Sequence, residues 1–158
     1  MNRSPITIGS WVLLLLGAVG CTEPAGPVPG QLYSGYDLRM IDSQFLPVEV
    51  TPGRLLLANG LAFGAIRRPR SDGGGTGLVA YVTLIRQGNQ NAVREVVHLN
   101  YAVDADEVRI DLCPPASNCL VPTELIGSVV AGGNELILTH FLNGQAGPVY
   151  HYFPALAE

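Results

Sequence analysis

Two cysteines, three histidines and one short arginine run are the residues in this chain whose types and spacing could do chemistry. Cys113 and Cys119 bracket Pro114-Pro115-Ala116-Ser117-Asn118. Zinc sites favour closer cysteine pairs with further Cys or His nearby, and redox couples favour C-x-x-C. Neither pattern is present, and in an exported chain a pair like this closes a structural disulfide. Of the histidines, His98 alternates with Arg94 and Asn100 on the polar face of a strand, where water solvates it. His140 and His151 fall on the two arms of one predicted hairpin, and a four-residue loop at Gly144–Gly147 would stand them opposite each other. No third ligand accompanies them, so no metal site is assigned. Asp104, Asp106 and Glu107 crowd one turn without the spacing of a calcium loop; turn chemistry accounts for the aspartates.

Arg67-Arg68-Pro69-Arg70 runs against the average charge, for the chain is acidic, with a formal net charge of −4 and a pI near 5.3. Guanidinium groups grip phosphates and carboxylates bidentately, which makes Arg67, Arg68 and Arg70 candidates for contact with lipid head groups or an anionic ligand. The plainer reading is a solvated loop whose charges maintain solubility. The sequence contains no G-x-S-x-G, no H-E-x-x-H and no phosphate loop ending in Lys and Ser/Thr. Gly73-Gly74-Gly75-Thr76-Gly77 is glycine-rich, but with no lysine and no helix start after it the run reads as a flexible loop. No catalytic residue and no cofactor are expected, and the chain is read as a non-enzyme.

Composition narrows the class further. The basic residues are all arginine, and the acidic balance argues against a nucleic-acid partner, which would call for a basic face. With 47% hydrophobic and 14% charged residues the chain is too apolar for disorder. Its 19 glycines and 12 prolines point to many turns rather than long helices.

Residues 1–20 read as an address rather than as part of the fold. Arg3 gives a positive start, Ile6 to Gly20 is uncharged and mostly apolar, and the run is short for a membrane span. Ala18-Val19-Gly20-Cys21 resembles the bacterial lipobox, with Ala18 where leucine is usual. That resemblance implies cleavage before Cys21, acylation of Cys21 and anchoring in the membrane. With Thr22 rather than Asp after the cysteine, it implies the periplasmic face of the outer membrane in a Gram-negative host. The Pro/Gly segment that follows cannot form a helix or a central strand, so residues 21–33 read as a tether.

From residue 34 to 155 the pattern is β. Val97, Leu99, Tyr101 and Val103 alternate with polar neighbours, and beyond Asp104-Ala105-Asp106 so do Val108, Ile110 and Leu112. Period two with one polar face describes an antiparallel hairpin packed on a core. Asn59-Gly60 looks like a tight primed turn between Arg54–Ala58 and Leu61–Ile66. Further turns are expected at Gln87–Gln90, Gly132–Asn134 and Asn143–Gly147. The expectation is eight to ten strands, all antiparallel, closed into an up-and-down barrel that hides its edges.

Three segments carry a family resemblance: Gly35-Tyr36-Asp37-Leu38-Arg39-Met40-Ile41 with Leu46-Pro47, then Gly53-Arg54-Leu55-Leu56-Leu57-Ala58-Asn59-Gly60, and Gly133-Asn134-Glu135-Leu136-Ile137-Leu138. Together they resemble small bacterial lipocalin-like lipoproteins. The resemblance implies a lipocalin-like barrel and no particular activity. Inward candidates are Leu55, Phe63, Tyr81, Leu99, Tyr101, Ile110 and Leu138. They either line a lumen that holds a small apolar or amphipathic ligand, or fill it and leave a structural or protein-interaction module of the cell envelope. Lumen space discriminates the two readings. The sequence leaves the oligomeric state open.

Overall fold

A computed structural model describes residues 32–71, 74–130 and 134–155. The expected signal segment, Cys21 and the tether up to Gln31 lie outside the described residues. The strands are β1 (Gly35–Ile41), β2 (Gln44–Phe45), β3 (Val48–Thr51), β4 (Arg54–Phe63), β5 (Arg68–Pro69) and β6 (Gly75–Gln87). They continue with β7 (Val93–Asp104), β8 (Glu107–Asp111), β9 (Thr123–Val129), β10 (Leu136–Leu142) and β11 (Gln145–Pro154). Every pairing is antiparallel. β1 pairs with both β11 and β4, which closes an eight-stranded ring β1-β4-β6-β7-β8-β9-β10-β11, while β2, β3 and β5 attach outside it. No described residue is helical. The fold is the antiparallel barrel that the alternation and turn spacing led us to expect.

Alternation decides which side chains enter the barrel. Val79, Leu99, Tyr101, Val103, Val108 and Ile110 are buried, and their sequence neighbours His98, Asn100, Asp104 and Arg109 are exposed. The β7–β8 hairpin turns at Ala105-Asp106, with Tyr101 opposite Ile110 and Val103 opposite Val108. Leu61, Leu125, Leu136, Leu138 and Tyr152 join this core from the other strands. Full burial of a leucine-sized side chain stabilises by about 1.5–3 kcal/mol, so this inner face carries most of the fold's driving force.

Four local expectations are corrected. Asn59-Gly60 is not a turn: β4 runs straight through it, pairing with β6 along its length, and neither residue has positive φ. The leucine that turns inward on β4 is Leu56, not Leu55. A register shift between Leu56 and Ala58 interrupts strict alternation there, and Leu55 sits between Glu49 and Arg86 on the neighbouring strands. The glycine run is half strand: Gly75 and Gly77 belong to β6, and a Cβ on Gly77 would stand 2.6 Å from the Tyr101 ring. Gly77 therefore makes room for a core aromatic. Finally, β10 and β11 turn at Asn143-Gly144, both with positive φ, rather than through a four-residue loop. A register shift between Thr139 and Phe141 then places His151 opposite Ile137, so His140 and His151 do not face each other.

The strand directions define two ends. Gly35, Phe63, Gly75, Asp104 and Pro154 mark the near end, where Leu32 enters the barrel; Ile41, Arg54, Gln87, Val93, Asp111 and Leu142 mark the far end. Cys113 and Cys119 form the expected disulfide, with Cα atoms 5.9 Å apart, in the far-end loop between β8 and β9. Backbone bonds from Leu112 N–H to Thr123 O (2.9 Å) and from Ser117 N–H to Pro114 O (2.8 Å) fold that loop.

Candidate functional site

The near end of the lumen is stopped by aromatic rings. Tyr33, Tyr36, Phe63 and Tyr101 meet edge-on in succession, with centroids 5.9, 6.0 and 5.1 Å apart. Such edge-to-face pairs add about 0.5–1.5 kcal/mol each beyond the area they bury. The Tyr101 hydroxyl donates to Gly64 O at 2.8 Å, and Tyr33 N–H donates to the Tyr36 hydroxyl at 3.2 Å, so the polar tips are satisfied as the rings pack. In the middle, Leu61, Val79, Leu99, Ile110, Leu125, Leu136 and Leu138 are no more than 2% exposed. A water-sized sphere reaches almost none of their surface. The barrel is filled over this stretch.

Toward the far end the interior becomes polar. The Tyr152 hydroxyl donates to Asn59 Oδ1 at 2.6 Å, and Asn59 Nδ2 donates to Val82 O at 3.0 Å. Thr83 is buried opposite Asn59. Burial pushes the Tyr81 phenol up to about 12; nearby Tyr150 adds to the rise and a hydrogen bond with Asn59 opposes it. Tyr152 is raised still more firmly by burial, with Tyr81 and Tyr150 contributing, and Tyr150 is raised by burial and by the Asp42 carboxylate. These phenols therefore remain neutral hydrogen-bonding groups at physiological pH, with no phenolate to act as base or nucleophile. His140 lies opposite core residue Leu125, its ring 6.5 Å from that of Tyr150. His151 is on another path altogether, held by Glu135 at 2.7 Å. Among the described residues no three His, Cys, Asp or Glu side chains gather where they could hold a metal ion.

The remaining concavities among the described residues include three grooves. One of about 410 Å³ runs over Ala58, Gly60, Ala62, Val82 and Leu84, and one of about 370 Å³ lies at the far end beside Thr51, Arg54, Gln87 and Val93. The third, about 440 Å³, has Arg67 and Arg68 on one side and Arg109, Asn100 and Thr76 on the other. Of the arginine run, Arg67 and Arg68 therefore share a groove, whereas Arg70 pairs with Asp104 at 2.8 Å. The expected lumen residues Leu99, Tyr101, Ile110 and Leu138 are buried in the core, with Phe63 and Tyr81 half-buried against it.

Sequence reasoning missed Asn59, because Asn-Gly is a strong turn signal, and missed Tyr150 and Tyr152, which no motif marked. It also missed Arg109 as a neighbour of the arginine run. The alternation of β8 puts Arg109 on the outer face, but nothing local says that Arg68, Thr76, Ala102 and Arg109 fall in one row across β5, β6, β7 and β8. Comparison with protein families, with curated proteins and with solved structures returned no match. Function must therefore be argued from these sites themselves.

Proposed function

We propose that this protein is a lipid-anchored envelope lipoprotein whose filled, lipocalin-like barrel serves as a non-enzymatic structural and interaction module. One observation carries the choice over a ligand carrier: the middle of the lumen is occupied by the protein's own side chains, seven of them no more than 2% exposed. An eight-stranded barrel has room either for such a core or for one small ligand, and here the core takes it. The outer surface supports the same reading. Phe45 at 72% and Leu120 at 98% exposure, with Val50, Val93, Val96, Val121 and Leu142, place large apolar side chains on strands and loops toward the far end, while Ile66 and Val130 are exposed at the near end. The neutral interior phenols offer hydrogen bonds and no acid–base chemistry in the physiological range.

The test is mass spectrometry of the protein purified from its native membrane. The expected result is an intact mass starting at an acylated Cys21, an adduct lost in Cys21→Ser, and no small molecule retained in stoichiometric amount. A stoichiometric amphipathic molecule released on unfolding would overturn the filled-barrel reading in favour of a carrier. A soluble wild-type protein starting elsewhere would overturn the anchor.

A further inference from the structure

We propose that the groove between the Arg67–Arg68 arm and the outer face of β6, β7 and β8 binds a phosphate-bearing anion. Antiparallel register builds its floor in two rows: Thr76, Ala102 and Arg109 side by side, and next to them Leu78, Asn100 and Asp111. The arm runs beside this floor as the next strand of the sheet. Arg67 N–H donates to Thr76 O at 2.8 Å and Arg68 pairs with Thr76 in the β5–β6 ladder. Tyr101 fixes the root of the arm through its bond to Gly64 O. Arg67, Arg68 and Arg109 thereby border one concavity of about 440 Å³.

The charge in that groove is not spent internally. Among the described residues, the side chains of Arg67, Arg68, Thr76 and Asn100 have no hydrogen-bonding or ionic partner, although the whole chain carries −4. Arg109 is held only loosely, by Glu107 at 3.5 Å and Glu124 at 4.0 Å. Among the described residues the one acid lining the groove is Asp111, whose Oδ1 accepts Cys113 N–H at 2.9 Å. Convergent guanidinium forks, a hydroxyl and a carboxamide offer more donors than the two oxygens of a carboxylate can use, whereas a phosphate presents enough acceptors. The volume is that of a small-molecule site rather than of a bare ion, and Leu78 and Ala102 give an organic substituent an apolar floor.

Two sources carry this chemistry: a soluble phosphate ester and a phospholipid head group. The arginine arm leaves the near end, three residues beyond the Gly64 carbonyl, where Phe63 N–H also bonds Ser34 O at the start of the chain's described part. The head-group source rests on the lipid-anchor reading, while the soluble source does not.

The experiment uses the full-length protein in nonionic detergent micelles and follows the arginine Nε–Hε signals by NMR. Inorganic phosphate is titrated first; phosphatidylglycerol is then added to the micelles of a second sample. Saturable shifts of the Arg67 and Arg68 signals are expected, with affinity reduced about tenfold in Arg67→Gln/Arg68→Gln. Asp111→Asn keeps an oxygen for Cys113 N–H and removes the opposing charge, so it should tighten binding about threefold. Saturation by phosphate that lipid does not improve assigns the soluble source, and saturation by lipid alone assigns the head group. Absence of saturable shifts with either probe, or unchanged affinity in the double variant at an unchanged thermal midpoint, overturns the site. The phosphate titration needs no acyl chain, so failure of the anchor and failure of the groove are read separately.

Discussion

The Tyr152 hydroxyl donates to Asn59 Oδ1 at 2.6 Å, linking β11 to β4 inside the barrel with β1 between them. This bond spans the seam at which the first and last strands meet, and both residues are buried. Removing one partner leaves a buried polar atom unmatched. Tyr152→Phe should therefore cost about 1–3 kcal/mol, as should Asn59→Ala. The double variant should cost less than the sum, and a double-mutant cycle in urea measures that coupling. Additive losses would show that the two groups act independently.

Neighbouring residues on β7 should respond oppositely to substitution. Leu99→Asp puts an unpaired charge into the core and should remove several kcal/mol, enough to unfold the domain. His98→Ser, on the outer face opposite Ala80, should change stability by no more than about 0.5 kcal/mol. Circular dichroism with thermal melts of both variants separates a face assignment from a general sensitivity of the strand.

The disulfide is expected to stabilise without directing the fold. Closing so short a loop is worth on the order of 2 kcal/mol, and Pro114-Pro115 already stiffens the open form. Cys113→Ala/Cys119→Ala should keep the β spectrum and melt at a lower temperature. Peptide mapping without reduction should recover Cys113 and Cys119 in one linked pair.

The interior phenols predict loss of stability in alkali. An unfolded phenol ionises near 10, whereas folded Tyr81 ionises at about 12 and Tyr152 is raised as well. Between those values the folded state holds more protons than the unfolded state, so the contribution is complete below pH 10 and falls as pH climbs toward 12. Phenolate absorbance should show a late-titrating fraction that shrinks in Tyr81→Phe. Absorbance complete at the ordinary tyrosine value while the domain is still folded would contradict the buried assignment.

The barrel itself was legible in the sequence because β alternation is a local signal. Val97 to Leu112 could be read with correct faces, and so could the disulfide, whose partners are neighbours in sequence. What failed were places where tertiary pairing overrides a local preference. Asn59-Gly60 has turn chemistry, but a ten-residue strand with β6 along one side and β1 beside its last residues leaves no room to turn, and Tyr152 supplies the partner that makes a buried Asn tolerable. Leu55 and Leu56 are chemically alike, so only the register shift at Ala58 decides which enters the core. The histidine pair failed for the same reason, since one shifted residue at His140 moves the whole arm. The groove partner Arg109 shares a cross-strand row with Arg68, three strands away, and no window of sequence records that.

Ala155 N–H donates to Gly35 O at 3.0 Å, so the described chain's closing strand hands over directly to its opening one. Each ring strand otherwise pairs with the strand before and after it in sequence. Topologically the domain is a circle of antiparallel neighbours cut at one point, and β1 and β11 stay paired across the cut. In this molecule the opening puts the start of β1 at the near end, the arginine arm beside it, and exposed Phe45 and Leu120 at the opposite pole. The position of the cut sets the polarity of the particle.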